Sequence, residues 1–113
     1  MRKEPSEKEI ENSILDYLQT QKGFFWKNNT VGVYDPVKKT FRRPTKYCIN
    51  GVADILGVIP PDGKLVAIEV KSKKGRVSKN QEAFLLRVRM QNGKAFIARS
   101  IEDVQKELYD VQT

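Results

Sequence analysis

Histidine is missing from this chain altogether, and cysteine occurs once, at Cys48. Without histidine there is no Ser-His-Asp or Cys-His nucleophile, no imidazole base and no His-ligated zinc or iron. A lone cysteine builds neither an internal disulfide nor a thiolate metal site, so Cys48 reads as an ordinary small residue. No apolar run approaches the roughly 20 residues that a membrane span needs. The start, Met1-Arg2-Lys3-Glu4-Pro5-Ser6, leads into polar and acidic residues without the apolar core of a secretory signal. A reducing, intracellular location away from membranes is therefore expected. Any catalysis must come from carboxylates, lysine and a hard metal ion.

What remains is ample for one domain. The chain has 113 residues, 39% of them hydrophobic and 31% charged, a balance typical of globular rather than disordered chains. A single domain over residues 1–113 is expected. The net charge of +7 creates a field that favours polyanions such as nucleic acid or anionic lipid. Charge alone leaves a merely solvated basic surface equally open.

Ser6 reads as a helix N-cap with Glu9 completing a capping box. Ile10, Ile14, Leu15 and Leu18 follow at helical spacing, so a helix is expected from about Glu7 to Gln21, stopping near Gly23. Phe24 to Asn28 reads as a strand. Residues 31–47 are basic, carry β-type residues broken by Asp35-Pro36, and read as a hairpin with a mobile tip. Asp54 to Ile59 reads as a buried strand, Pro60-Pro61-Asp62-Gly63 as a turn, and Lys64 to Lys71 as the antiparallel partner strand. Ser78 and Gln81 form a second capping box at the start of a helix whose inner face is Phe84, Leu85 and Val88, with Gly93 as its stop. Lys94 to Ala98 reads as a strand. Ser100 caps a last helix with Ile101, Val104, Leu108 and Val111 inward. The order predicts an α/β domain, a mixed sheet flanked by helices.

Alternate side chains of a strand share a face. Val66, Ile68 and Val70 mark the core side, which places Glu69 and Lys71 opposite, near the strand's end. Asp54 starts the partner strand at the matching end of the hairpin. Two carboxylates and an ammonium thus converge at one edge of the sheet. Asp54, Glu69 and the backbone carbonyl of Val70 supply hard oxygen ligands suited to Mg²⁺ or Mn²⁺. Such an ion acidifies water and neutralises charge on a phosphate, and Lys71 can orient the attacking water or stabilise the transition state. The same spacing, taken alone, also fits a solvent-facing Glu/Lys ladder.

Other residues bear on that choice. Glu11 precedes Ile14, Leu15 and Leu18 at +3, +4 and +7, at the inner edge of the first helix, and Glu7 lies one turn earlier. Two like charges at that spacing cost about 0.2–0.5 kcal/mol, which a nearby cation would remove. Glu7 also fits a favourable contact with the helix N-terminal dipole, and Glu11 an ordinary boundary acid. Gln81 serves either the cap or a hydrogen bond to metal-bound water or a phosphate. Lys71, Lys73, Lys74, Arg76 and Lys79 form one acid-free basic segment. Lys38, Lys39, Arg42, Arg43 and Lys46 form another. Both suit salt-sensitive, sequence-independent phosphate contacts.

Gly51-Val52-Ala53-Asp54, Ile68-Glu69-Val70-Lys71 and Gly75-Arg76-Val77-Ser78 with Gln81 together resemble the VRR-NUC family, the virus-type replication-repair nuclease branch of the PD-(D/E)XK superfamily. The opening helix and the closing Gly93…Ser100-Ile101-Glu102-Asp103-Val104 extend the likeness over nearly the whole chain. It departs from the family at Ala53, where a proline is usual. The resemblance implies a restriction-endonuclease-like core with element order α-β-β-β-α-β-α and a Mg²⁺- or Mn²⁺-dependent endonuclease of branched DNA. Stand-alone members of this size resemble phage proteins that act as Holliday-junction resolvases, so a homodimer in the cytoplasm of a bacterial host, encoded by phage or prophage, is expected. Carried over by position, Asp54 and Glu69 would be metal ligands, Lys71 the catalytic lysine and Gln81 the helix glutamine. The helix acid would be Glu11 or Glu7, with Glu11 favoured because its spacing to Gly23 resembles that in archaeal resolvases. The alternative is a DNA-binding module of the same fold with little or no catalysis. Retention of Asp54, Glu69, Lys71 and Gln81 together argues against it.

Overall fold

The computed structural model describes residues 3–29, 34–41 and 47–109. Helix α1 (Glu7–Leu18) starts at the expected capping box, with Ser6 Oγ accepting from the Glu9 N–H and Glu9 reaching back to the Ser6 N–H. It ends three residues before Gln21, because its last buried anchor is Leu18 and nothing beyond it packs inward. Strands β1 (Phe24–Lys27), β4 (Ile55–Ile59), β5 (Lys64–Val70) and β6 (Lys94–Ala98) form one sheet in the order β1-β4-β5-β6. The first two pairings are antiparallel and β5–β6 is parallel. The parallel pair requires a crossover, which α2 (Lys79–Met90) supplies. The hairpin expected within 31–47 is present as β2 (Tyr34–Asp35) and β3 (Thr40–Phe41), paired with each other in a separate two-stranded sheet.

The sheet is covered on both faces. Ile10, Ile14 and Leu18 of α1 pack with Phe25, Ile55, Val66, Ile68, Val70, Phe96 and Val104 on one side. On the other, Leu85 and Val88 of α2 lie over Ala53, Ala67 and Ala95. Small residues beneath α2 let the helix approach the strands closely. Val66, Ile68 and Val70 form the expected core face, yet the Glu69 face of β5 is buried too, which excludes a solvent-facing ladder.

Two details differ from expectation. Asn92, at φ 66, rather than Gly93, takes the left-handed position after α2. Gly93 is needed for space, since a Cβ there would lie 2.6 Å from Val88 Cγ1. The last helix is α only over α3 (Ile101–Val104) and continues as π-helix over Gln105–Tyr109. Ile101, Val104 and Leu108 do pack inward, and Val111 lies outside the described residues. No helix among those described is long and apolar enough to cross a membrane.

Gly57 faces Val66 across β4–β5 and Phe25 across β1–β4, and a Cβ on it would fall on the Phe25 ring. Gly57→Ala should therefore destabilise the fold by about 1–3 kcal/mol through overpacking. A lowered urea midpoint with unchanged slope would register it.

Candidate functional site

Asp54 lies immediately before β4 rather than within it. Its backbone carbonyl accepts from the Asn28 N–H at 2.7 Å, and its Oδ2 accepts from the Val70 N–H at 2.9 Å. The carboxylate thus takes the place of a backbone acceptor where the β4–β5 ladder ends. The aspartate is held from both sides.

One step beyond the Ile55–Ile68 pair, the antiparallel register sets Asp54 opposite Glu69. Glu69 is 1% exposed. Its Oε2 accepts from Gln81 Nε2 at 3.0 Å, while Oε1 is buried without a hydrogen-bond partner. Gln81 does this while capping its own helix. Its Oε1 accepts from the Ser78 N–H at 2.9 Å, and its backbone N–H donates to Ser78 Oγ. The capping reading of Gln81 is therefore borne out, and the other end of its amide goes to the Glu69 carboxyl, a partner the sequence did not announce. Gly51 makes room for this helix start, because a Cβ there would lie 2.5 Å from the Asn80 carbonyl.

Glu69 has its carboxyl raised to about 8. Burial is the main cause. The Asp54 carboxylate adds to it, by hydrogen bonding to the protonated form and by repulsion of the charged one, and Lys71 opposes. Two close carboxylates in a dry setting favour a shared proton or a shared cation. The bare Oε1 is open to either.

Helix α1 brings its acids to the same end of the sheet from the other face. Glu11 is buried and pairs with Lys27 Nζ at 3.6 Å. Its carboxyl is raised, mainly by burial, with Lys27 opposing and Asp54 contributing repulsion. Glu7 reaches Lys71 Nζ at 3.8 Å. Glu11 is thus the acid that senses Asp54, and Glu7 the one that pairs with Lys71. Among the described residues no three Asp, Glu or Cys side chains gather into a ready-made metal set. The side chains offer a pair, Asp54 and Glu69. The Val70 carbonyl lies on the same side of its strand as the N–H that Asp54 holds, since paired residues direct both groups one way.

Lys73, Lys74, Arg76 and Lys79 are all exposed. Lys73 pairs with Glu4 at 3.4 Å, at a surface where such pairs add little. Lys79 opens α2, where a positive charge opposes the helix dipole and an incoming anion would relieve it. Lys38 and Lys39 are exposed in the β2–β3 turn. Arg42, Arg43 and Lys46 lie outside the described residues.

Arg99 escaped the sequence reading. One guanidinium nitrogen, Nη1, donates to the carbonyls of Ser72, Lys73 and Gly75 at 2.5, 3.3 and 2.9 Å. It binds the turn after Lys71 to the end of β6, beside the bond from the Lys71 N–H to the Ala98 carbonyl. An arginine just past a strand gave no periodic signal. Only the three-dimensional return of β6 beside β5 explains it.

A family model described as the VRR-NUC domain matches residues 6–102, from the Ser6 cap to the first turn of α3. Searches of the curated proteins and of the solved structures returned no match.

Two outcomes test this geometry. Glu69 holds a proton in the folded protein that an unfolded carboxyl releases above its ordinary value of 4.5. Below that value neither state differs. As pH rises towards about 8, stability of the metal-free protein should fall, by on the order of a few kcal/mol. Urea unfolding from pH 5 to 8.5 should show the slope, and Glu69→Gln should flatten it. Arg99→Met should speed amide hydrogen exchange at Lys71 and Gly75 while leaving the α1 amides protected.

Proposed function

The chain belongs to the VRR-NUC family of PD-(D/E)XK nucleases, and from that premise we propose that it is a divalent-metal-dependent endonuclease of branched DNA whose site is Asp54, Glu69, Lys71, Gln81 and Glu11. The observation that carries this reading is the buried Glu69 with one oxygen unpartnered, facing Asp54 and within the field of Lys71. A bare, buried carboxylate oxygen beside a second carboxylate fits a hard cation and has little other use in a stable core. Asp54, Glu69 and the Val70 carbonyl would hold Mg²⁺ or Mn²⁺. Bound there, the ion would supply Lewis acidity, lowering the pKa of water and neutralising charge on the scissile phosphate.

The protein's own groups do the rest. Gln81 fixes the Glu69 carboxyl through Oε2, and Oε1 would be the oxygen left for the cation. Lys71, largely enclosed and held by Glu7, stands ready to exchange that weak pair for a phosphate oxygen or the attacking water. Glu11, whose carboxyl burial raises above its ordinary value, can take or return a proton through water. The exposed cations Lys73, Lys74, Arg76 and Lys79 hold the flanking backbone. Recognition rests on shape and charge, through the exposed basic residues that follow Lys71. A homodimer acting on a four-way junction in the bacterial cytoplasm, as a phage or prophage product, suits this design, because C₂ symmetry places two sites on two strands.

The test is a Mg²⁺ and Mn²⁺ cleavage assay over linear, flap, fork and four-way substrates. Glu69→Ala and Lys71→Ala should each lower cleavage at least 100-fold, of the order seen when a transition-state contact is removed, with junction binding largely kept. EDTA should stop the reaction. Wild-type rates in both variants would overturn the site, and binding without any cleavage would favour the non-catalytic module.

A further inference from the structure

Strand β1, which pairs only with β4 among the described residues, carries two large aromatics that neither core uses. Phe24 is 66% exposed and Trp26 39% exposed. Their rings touch, with centroids 5.2 Å apart and planes tilted by 42°. Neither belongs to the clusters that hold the fold together, so their presence is not explained by stability. An exposed aromatic pair on an edge strand is a liability for aggregation and calls for a use.

Their place relative to the site gives one. Trp26 pairs with Leu56, and Leu56 with Ala67. Leu56 shares its face with Asp54 two residues earlier, and Ala67 shares its face with Glu69 two residues later. Trp26 therefore lies on the same face of the sheet as the two carboxylates, one row further in. Phe24 occupies the row after that, level with Val58 and Leu65. Leu65 in turn lines a groove of about 760 Å³ against α2, together with Ile49, Phe84, Arg87 and Met90. This volume lies in the range that takes small organic ligands. The α2 face thus carries the carboxylates and the two tilted rings, and at its hairpin-turn end an apolar groove edged by Arg87 and Lys64, with Asp62 as its acid.

We infer that the two rings bind unpaired nucleotides, with nucleobases stacking on Trp26 and Phe24, on the same face of the sheet as the carboxylates. The inference rests on the nuclease reading for its location but not for its chemistry. Stacking on aromatic rings is the sequence-tolerant way to hold an unpaired base. A duplex hides its base faces and cannot use such a platform. The net charge of +7 and the groove-side Arg87 and Lys64 suit the accompanying phosphates.

Trp26 is the only tryptophan of the chain, so its fluorescence reports the contact directly. Full-length protein in EDTA, where no cleavage occurs, is titrated with an oligothymidylate, with an abasic oligomer of equal length and with a blunt duplex. Quenching by the oligothymidylate, with little from the abasic strand or the duplex, is expected. Trp26→Ala and Phe24→Ala should each weaken single-strand binding by about 5- to 150-fold and leave duplex binding unchanged. Phe24→Ala removes the more exposed ring, so its fold can be checked by circular dichroism if Trp26→Ala proves unstable. Equal quenching by base-bearing and abasic strands, or unchanged single-strand affinity in both variants, would overturn the inference. A wild-type dimer that Trp26→Ala converts to monomer, with single-strand affinity intact, would instead assign the rings to a self-interface. Absence of cleavage by the wild type with normal quenching would sink the nuclease mechanism alone.

Discussion

Everything at the functional end of this molecule depends on how one carboxyl, that of Glu69, is kept in a place that water does not reach. Burying it costs free energy that a paired or solvated group would not. The structure offsets part of that with the Gln81 amide, part with the field of Lys71, and leaves one oxygen uncompensated. The surrounding architecture follows from that demand. Helix α2 must start where Gln81 meets Glu69. Gly51 must lack a side chain to let it start there. Asp54 must end the β4–β5 ladder with its side chain rather than its backbone. A core built for stability alone would have placed an apolar residue at position 69.

The sheet is what makes a site at its end possible. β5 is buried on both faces, under α1 on one side and α2 on the other, and at its last residues side chains of both helices come together. Glu7 and Glu11 arrive from one face and Gln81 from the other, while Asp54 comes in from the neighbouring strand. The basic turn after Lys71 is then bound to β6 by Arg99. Five separate segments of the chain converge, and each is held by its own local bonds before any ligand is present. Preorganisation of this kind reduces what binding must spend on ordering.

Much of this was legible in the sequence, and the reasons are local. The two Ser capping boxes, the alternation of Val66, Ile68 and Val70, and the Asp62-Gly63 turn are all short-range signals, and each marks an element that exists. The D…ExK spacing was weak alone, and the lack of histidine and the helix start at Ser78 gave it weight. What could not be read depended on tertiary return. Arg99 has meaning only once β6 lies beside β5. The burial of Glu69 needed α2 to fold back over its face, which no period in β5 announces. Asn92 displaced Gly93 as the left-handed residue because Gly93 was already needed against Val88. Phe24 and Trp26 read as ordinary strand residues until the sheet order left them at an edge.

The double bonding of Gln81 sets the indexing of α2. One end of its amide is locked to the helix's own first turn and the other to a strand across the interface. The helix therefore cannot slide or rotate by a fraction of a turn without breaking both attachments together. Its N-terminal end works as a datum, fixed to the sheet to within a hydrogen bond's tolerance. Its far end is tied to the sheet once more, by Arg89 Nε donating to the Ala95 carbonyl at 2.8 Å, so the helix is pinned at both ends. Divergence in this helix should accumulate on its outward face, at positions such as Leu86 and Met90, and leave both tied ends untouched.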